Sequence, residues 1–403
     1  TMSEPAELRV GESTWSFRVP EGRRVELSRE IVGPPSGTPA EMTREALEHP
    51  HGFEAMRRAL TPDDRVTIVL DPAIPSAAAI LAEVLLHLQS GGVQPDAVTV
   101  LTIAGADQKW VEDPPDEFAD VRTEVHDPAD RNKLAYLAST KAGRRLYLNR
   151  TLLDADFVVV LSGREYDPMS GYAGAESAIF PALADEDTRA AFRGQFTSDA
   201  PGKTPWPARE EALEVMRLIG MPFLVQVISG VGATVQEVVA GLPDSSGEGI
   251  RRQNARWHAT VSEEPDTVLA TIGGVPEQTT FLDIAKAAAC AARVVKKGGR
   301  IAVLTTAAPD LGEGAKLLRS MEGPTGARKL LAKEKPEDWD AAWLWAFAAK
   351  NHSLFLASGY PDEVVEELFA TPIHSASELQ RLIDTGEKVL IIPYAHKTMV
   401  TRA

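Results

Sequence analysis

The stretch DDRVTIVLDP (Asp63–Pro72), followed by IPSAAAILAEVLLHLQ (Ile74–Gln89) and GGVQPDAVTVLTIAG (Gly91–Gly105), decides the fold. Its first piece is a short β-branched run ending in a turn. The second carries apolar residues at helical spacing, and the third returns to a β-branched run after paired glycines. Strand, helix and strand with connections this short make a βαβ unit.

The same alternation continues outward. Strands are predicted in RRLYLN (Arg144–Asn149), DADFVVVLSG (Asp154–Gly163) and MPFLVQVIS (Met221–Ser229), and the leading ESTWSFRVP and RRVELS read as a small β-rich preamble. A polar stretch, Gly241–Asp266, separates this half from a second α/β pattern. There DTVLATIGG is a strand, FLDIAKAAACAARVVKK a helix, GGRIAVLTT (Gly298–Thr306) a strand and EKVLIIPY (Glu387–Tyr394) a closing strand. The fold class is therefore α/β, with two domains of mostly parallel sheet and a cleft between them. The boundary falls near residue 260, giving domains 1–260 and 261–403. A chain of 403 residues is long for one core, which agrees with two.

Composition narrows the function. A hydrophobic share of 44% against 25% charged residues is that of an ordinary soluble globular protein. No apolar run reaches the roughly 18–20 residues of a membrane span. The opening residues have neither a basic nor an apolar signal region, and the lone Cys290 forms no intrachain disulfide, so a cytoplasmic location is expected. A net charge of −16, scattered along the chain, argues against nucleic acid and anionic membranes as partners. A small anionic ligand then needs locally placed cations.

In α/β sheets, ligands sit beyond the carboxyl ends of strands. Four such ends matter here. Asp71, after TIVL, reads either as a ligand-facing acceptor or as part of a rigid turn in which Ser76 caps the following helix. Asp107 and Gln108, in GADQKW, either enter the cleft or lie in a solvated loop. In GREYDPMSGYAGAES, Gly171 and Gly174 permit close backbone approach, and the next helix offers amides to an anion, with Arg164 and Lys286 as candidate cations. A tight strand-to-helix connection is the other reading. Gln278, Thr279 and Thr280, after Gly273 and Gly274, either cap a helix or bind a polar ligand. The eight histidines show no HxH or HExxH spacing and there is no CxxC, so the strong metal patterns are missing. His126 reads as a turn residue. GxSxG, a Walker lysine and GxGxxG are also missing.

Taken in order, HPHGFEAMRRAL, DDRVTIVLDPAIP, HDPADRNKLAYLASTKAGRRLYLNRTLLDADF, GYAGAESAIFPALAD and IGGVPEQTTFLDIAKAA resemble the lactate racemase family. The resemblance spans most of the chain. It implies two α/β domains and a nickel-pincer nucleotide that racemises 2-hydroxy acids by hydride transfer. It also places the family's functional positions. The family's Asp-x-Thr-Arg-Pro keeps Asp71 and Pro75 but lacks Thr-Arg. Its first catalytic histidine falls among Gly105–Gln108 and its second on Asp167. The lysine that bonds the cofactor falls on Ser177, the nickel-ligating histidine on Phe192, and a substrate-contacting lysine matches Lys286.

Three functions follow from these departures. In the first, Asp107 and Asp167 act as acid and base on a hydroxy acid, Lys286 holds its carboxylate, Gln278, Thr279 and Arg164 assist, and Asp71, Gly171, Gly174 and Ser177 hold a nucleotide that is no longer covalently attached. In the second, the protein is a silent relative that binds a small anion or pairs with an active subunit, in a homo- or hetero-oligomer. In the third, Asp71, Asp107 and Asp167 gather a hard divalent metal for hydrolytic or lyase chemistry.

Overall fold

The computed structural model describes residues 5–10, 13–103, 114–193 and 207–403. The chain forms two compact α/β units, one spanning residues 34–255 and the other joining the residues before Pro34 to those after Ala255.

The first unit is built on a six-stranded sheet. Across it the strands run Val235–Gly241, Phe223–Ser229, Phe157–Gly163, Val66–Leu70, Val98–Ile103 and Arg122–His126. All neighbours are parallel except the edge strand Val235–Gly241, which returns antiparallel to Phe223–Ser229. Successive side chains point to opposite faces, so the central run VTIVL feeds two cores at once. Ile68, Val100, Val159 and Val225 pack under the helices Pro39–Glu48 and Ala77–Ser90 with Met42, Leu47, Leu81 and Val84. Val69, Leu101, Val160 and Leu224 pack on the other side with Ile179, Phe180, Val215 and Met216, the last two from the helix Pro207–Leu218. Burial on both faces explains why these strands read as unbroken apolar runs.

The predicted cap at Ser76 is not made. Ser76 is left-handed, with φ 56° and ψ 33°, and its side chain accepts no cap hydrogen bond. The turn before the helix is closed instead by Asp71, whose Oδ1 accepts the amide of Ala73 at 3.0 Å.

The second unit carries another six-stranded sheet, all parallel, in the order Ala370–Pro372, Ser353–Ala357, Arg300–Leu304, Thr267–Thr271, Val389–Ile392 and Arg24–Val25. The last of these comes from the beginning of the chain. The hairpin Ala6–Val10 with Ser13–Phe17 adds Leu8, Val10 and Phe17 to a core that includes Leu269, Leu304, Leu379 and Ile383. The β-rich preamble thus packs with the carboxy-terminal residues, whereas its place in sequence assigned it to residues 1–260. Its apolar side chains complete the second unit's core, and pairing of Val389 and Leu390 with Arg24 and Val25 fixes the register. At the other end the division falls between Ala255 and Arg256.

Candidate functional site

The carboxyl ends of the strands Val66–Leu70, Phe157–Gly163 and Phe223–Ser229 lie side by side, because Leu70 pairs with Leu161 and Val227 with Gly163. They bring Asp71, Glu165 and Ser229 to one edge of the first sheet. The Asp71 carboxylate accepts from the amide of Ala73 at 3.0 Å, and the Gly163 amide also favours its charged form. Its burial raises its pKa, the two amides pull it back, and the nearby charge of Glu165 raises it again, for a net upward shift. Glu165 is half-buried, and one of its oxygens accepts from Ser229 Oγ at 3.1 Å.

Arg164 is held inside the fold. Its side chain is fully buried, and all five N–H donors are committed: Nε to Gln226 Oε1 at 2.8 Å, Nη1 to the Ala173 carbonyl and Glu176 Oε1, and Nη2 to Glu176 Oε2 and Ser246 Oγ. Glu176 is equally buried and also accepts from Arg209 Nε at 3.0 Å. Burial pushes the Glu176 carboxyl up, but Arg164 and Arg209 outweigh it and hold it below the usual range. This is a framework ion pair under the glycine loop.

The loop itself is closed. Gly174 has φ +89°, and a Cβ there would stand 1.8 Å from the Gly163 carbonyl oxygen, so glycine is demanded by contact with the neighbouring backbone. Its amide is taken by Ser177 Oγ at 2.8 Å, and that of Ala175 by Ser162 Oγ at 2.7 Å. The helix that follows, Glu176–Ile179, is a single turn. The expected cradle of free amides is therefore absent at these two positions, since side chains of the same loop already occupy them. Gly171, φ +85°, pairs with Asp167 across a tight hairpin.

Asp167 serves that hairpin. Oδ1 accepts from the Met169 amide at 3.0 Å, and Oδ2 accepts from Ser170 Oγ. Phe192 is seated edge-on against Phe180, with centroids 5.1 Å apart, and the Arg144 guanidinium lies over its ring. His126, at the end of its strand, donates from Nε2 to the Ala184 carbonyl at 2.9 Å and accepts at Nδ1 from Asn149. It is a buried structural bridge. Asp107 and Gln108 lie outside the described residues. Among those described, no group of three His, Cys, Asp or Glu side chains is arranged to hold a metal ion.

The remaining candidates belong to the second unit. Gln278 ends a short 3-10 turn, Pro276–Gln278, and is exposed. Thr279 Oγ1 reaches the Val275 carbonyl at 3.5 Å. Thr280 caps the helix Phe281–Ala292 through a reciprocal box with Asp283. Lys286 stands half-buried on that helix. The structure thus gathers Asp71, Gly171, Gly174, Ser177, Arg164 and Asp167 in one unit, and Gln278, Thr279 and Lys286 in the other. Sequence reasoning missed Glu165 and Arg209. Glu165 had a signal, since it lies two residues past a strand end, whereas nothing local marks Arg209 as a partner of Glu176.

Comparison with known proteins agrees with this architecture. Residues 10–200 match the family model for the lactate racemase N-terminal domain. The lactate racemase of Thermoanaerobacterium thermosaccharolyticum is 20% identical over 414 residues, covering 96% of this chain and 97% of that protein. The solved lactate racemase apoprotein from that organism superposes with a TM-score of 0.81 at 17% identity, over 98% of this chain and 100% of that one. A crystal structure of a Thermotoga maritima protein is similar with a TM-score of 0.66 at 13% identity, over 93% and 100%. At such identities the structural likeness concerns the fold.

Proposed function

Because the chain belongs to the lactate racemase family, we propose that it binds a small hydroxylated anion, of the 2-hydroxy acid class, at the carboxyl edge of its first sheet without a covalently attached nickel-pincer nucleotide. One observation carries this reading. The position where the family's attaching lysine falls is Ser177, whose hydroxyl accepts from the Gly174 amide at 2.8 Å and reaches back to its carbonyl at 3.2 Å. A serine cannot supply the amine of that linkage. Phe192, where the nickel-ligating histidine falls, offers no lone pair and is packed against Phe180. The residues present therefore do not fit the covalent cofactor.

None of this chain's side chains accepts a hydride. Racemisation at a hydroxy-acid carbon by hydride transfer needs an acceptor brought by another molecule. The function supported best is accordingly a lactate-racemase-like protein that holds the ligand. The metal-hydrolase reading loses support because Asp167 is spent on its own turn.

Two measurements test the reading. Intact-mass spectrometry of protein co-produced with the proteins that assemble the pincer nucleotide is expected to give the mass of the bare polypeptide. A stable adduct would overturn the loss of attachment. Calorimetric titration with L- and D-lactate is expected to give saturable heats, and heats no larger than dilution for both would overturn the binding role.

A further inference from the structure

The strand Val235–Gly241 lies at the edge of the first sheet, and Phe223–Ser229 is its one neighbouring strand there. Its outward side is marked by His51, whose amide donates to the Ala240 carbonyl at 2.7 Å within a one-residue parallel bridge. Backbone groups two residues apart on a strand point the same way, so the N–H and C=O of Val238 also face outward. The residue opposite agrees, since Val227 turns its carbonyl to the Arg164 amide and away from Val238. Among the described residues none hydrogen-bonds these two groups of Val238. The sequence VQEVVAG contains neither proline nor lysine, the residues that commonly close such an edge. Beside it lies a cleft of about 800 Å³, lined by Glu41 and Glu45 of the helix Pro39–Glu48, by Glu237 and Val238, and by Arg252 of the helix Ser245–Trp257. Arg252 Nε donates to Glu248 Oε1 at 2.8 Å, so its charge is answered within its own helix. The three glutamates leave the cleft acidic.

An extended chain laid along this edge stands about 4.8 Å from the strand and exchanges two hydrogen bonds with the Val238 backbone. We propose that the edge is a docking site for an extended basic segment of a partner protein, added as a further strand with its lysine or arginine side chains toward Glu41, Glu45 and Glu237. Charge selects this occupant. A second copy of the chain brings the same glutamates and a net charge of −16 against an identical surface. An acidic or neutral segment gains the backbone bonds and nothing from the glutamates. Neither the cleft nor its occupant depends on the hydroxy-acid site.

The probe is an acetylated and amidated hexapeptide of alternating lysine and threonine, titrated calorimetrically into the full chain. The wild type is expected to bind it saturably, and the Val238 amide to exchange more slowly with deuterium when it is present. Val238→Pro removes the outward N–H without touching the ladder to Phe223–Ser229, and is expected to weaken binding about tenfold. The same loss is expected in the wild type when the peptide nitrogens are methylated, a control that does not depend on how Val238→Pro folds. Glu45→Gln is expected to weaken binding, and the matching glutamate–threonine hexapeptide to give no saturable heat. Binding that survives methylation and leaves Val238 exchange unchanged would reduce the effect to long-range attraction and overturn the docking site. So would the absence of saturable heat at millimolar peptide. Self-association of the wild type that disappears in Val238→Pro would assign the edge to a second copy and sink the basic partner.

Discussion

Gly174 and Glu176 illustrate how residues that look like ligand contacts become framework. Alanine at 174 must place its Cβ against the Gly163 carbonyl and adopt a positive φ, so Gly174→Ala is expected to lower stability by several kcal/mol, seen as an earlier denaturant midpoint. Glu176→Gln strands the Arg164 charge in a dry interior. A loss of about 3–5 kcal/mol is expected, the range for breaking a buried pair from one side. Wild-type stability in Glu176→Gln would show that the network is idle. The identity of Ser177 was legible at once, since it needs no neighbour to be interpreted. The fate of Arg164 was not. An arginine after a strand end invites a ligand reading, and its partners, 9 to 82 residues away in sequence, are brought close only by the fold.

Individual elements follow local rules where their ends are set locally. The helix Pro39–Glu48 begins with Thr38 and Glu41 in a reciprocal capping box, and the side chain of Thr38 receives the Glu41 amide at 3.2 Å. Thr38→Ala is expected to lower stability by about 1 kcal/mol in chemical denaturation. The central strands were readable because burial on both faces removes the need for polar alternation. Ser76 defied the same kind of rule, because the turn is closed by Asp71 and the backbone there is left-handed, which turns the serine away from its cap role. The strand Val235–Gly241 was missed because its direction is set by pairing with Phe223–Ser229, which no local composition encodes.

At the scale of the molecule, four buried or half-buried histidines oppose folding in acid. Burial lowers the pKa values of His87, His126, His258 and His352, so each takes up protons more readily in the unfolded chain. The stability they permit is fully present above the ordinary histidine value of about 6.5 and is lost as pH falls from there toward their depressed folded values. In His126, protonation of Nδ1 also sets a proton against the Asn149 amide. Denaturation at pH 8 and pH 5.5 is expected to show weaker folding at the lower pH, with a smaller difference in His126→Gln. The α/β class, with mostly parallel sheets, was legible from the alternation of β-branched runs and helical spacing. The allegiance of the leading residues was not, since a short strand reads alike whichever sheet receives it.

That allegiance sets an order of events during synthesis. Arg24 and Val25 leave the ribosome long before Val389 and Leu390 exist to receive them, so this short strand must wait, unpartnered, while the intervening residues acquire their own sheet. A stop before Val389 would leave Arg24 and Val25 without the strand that receives them.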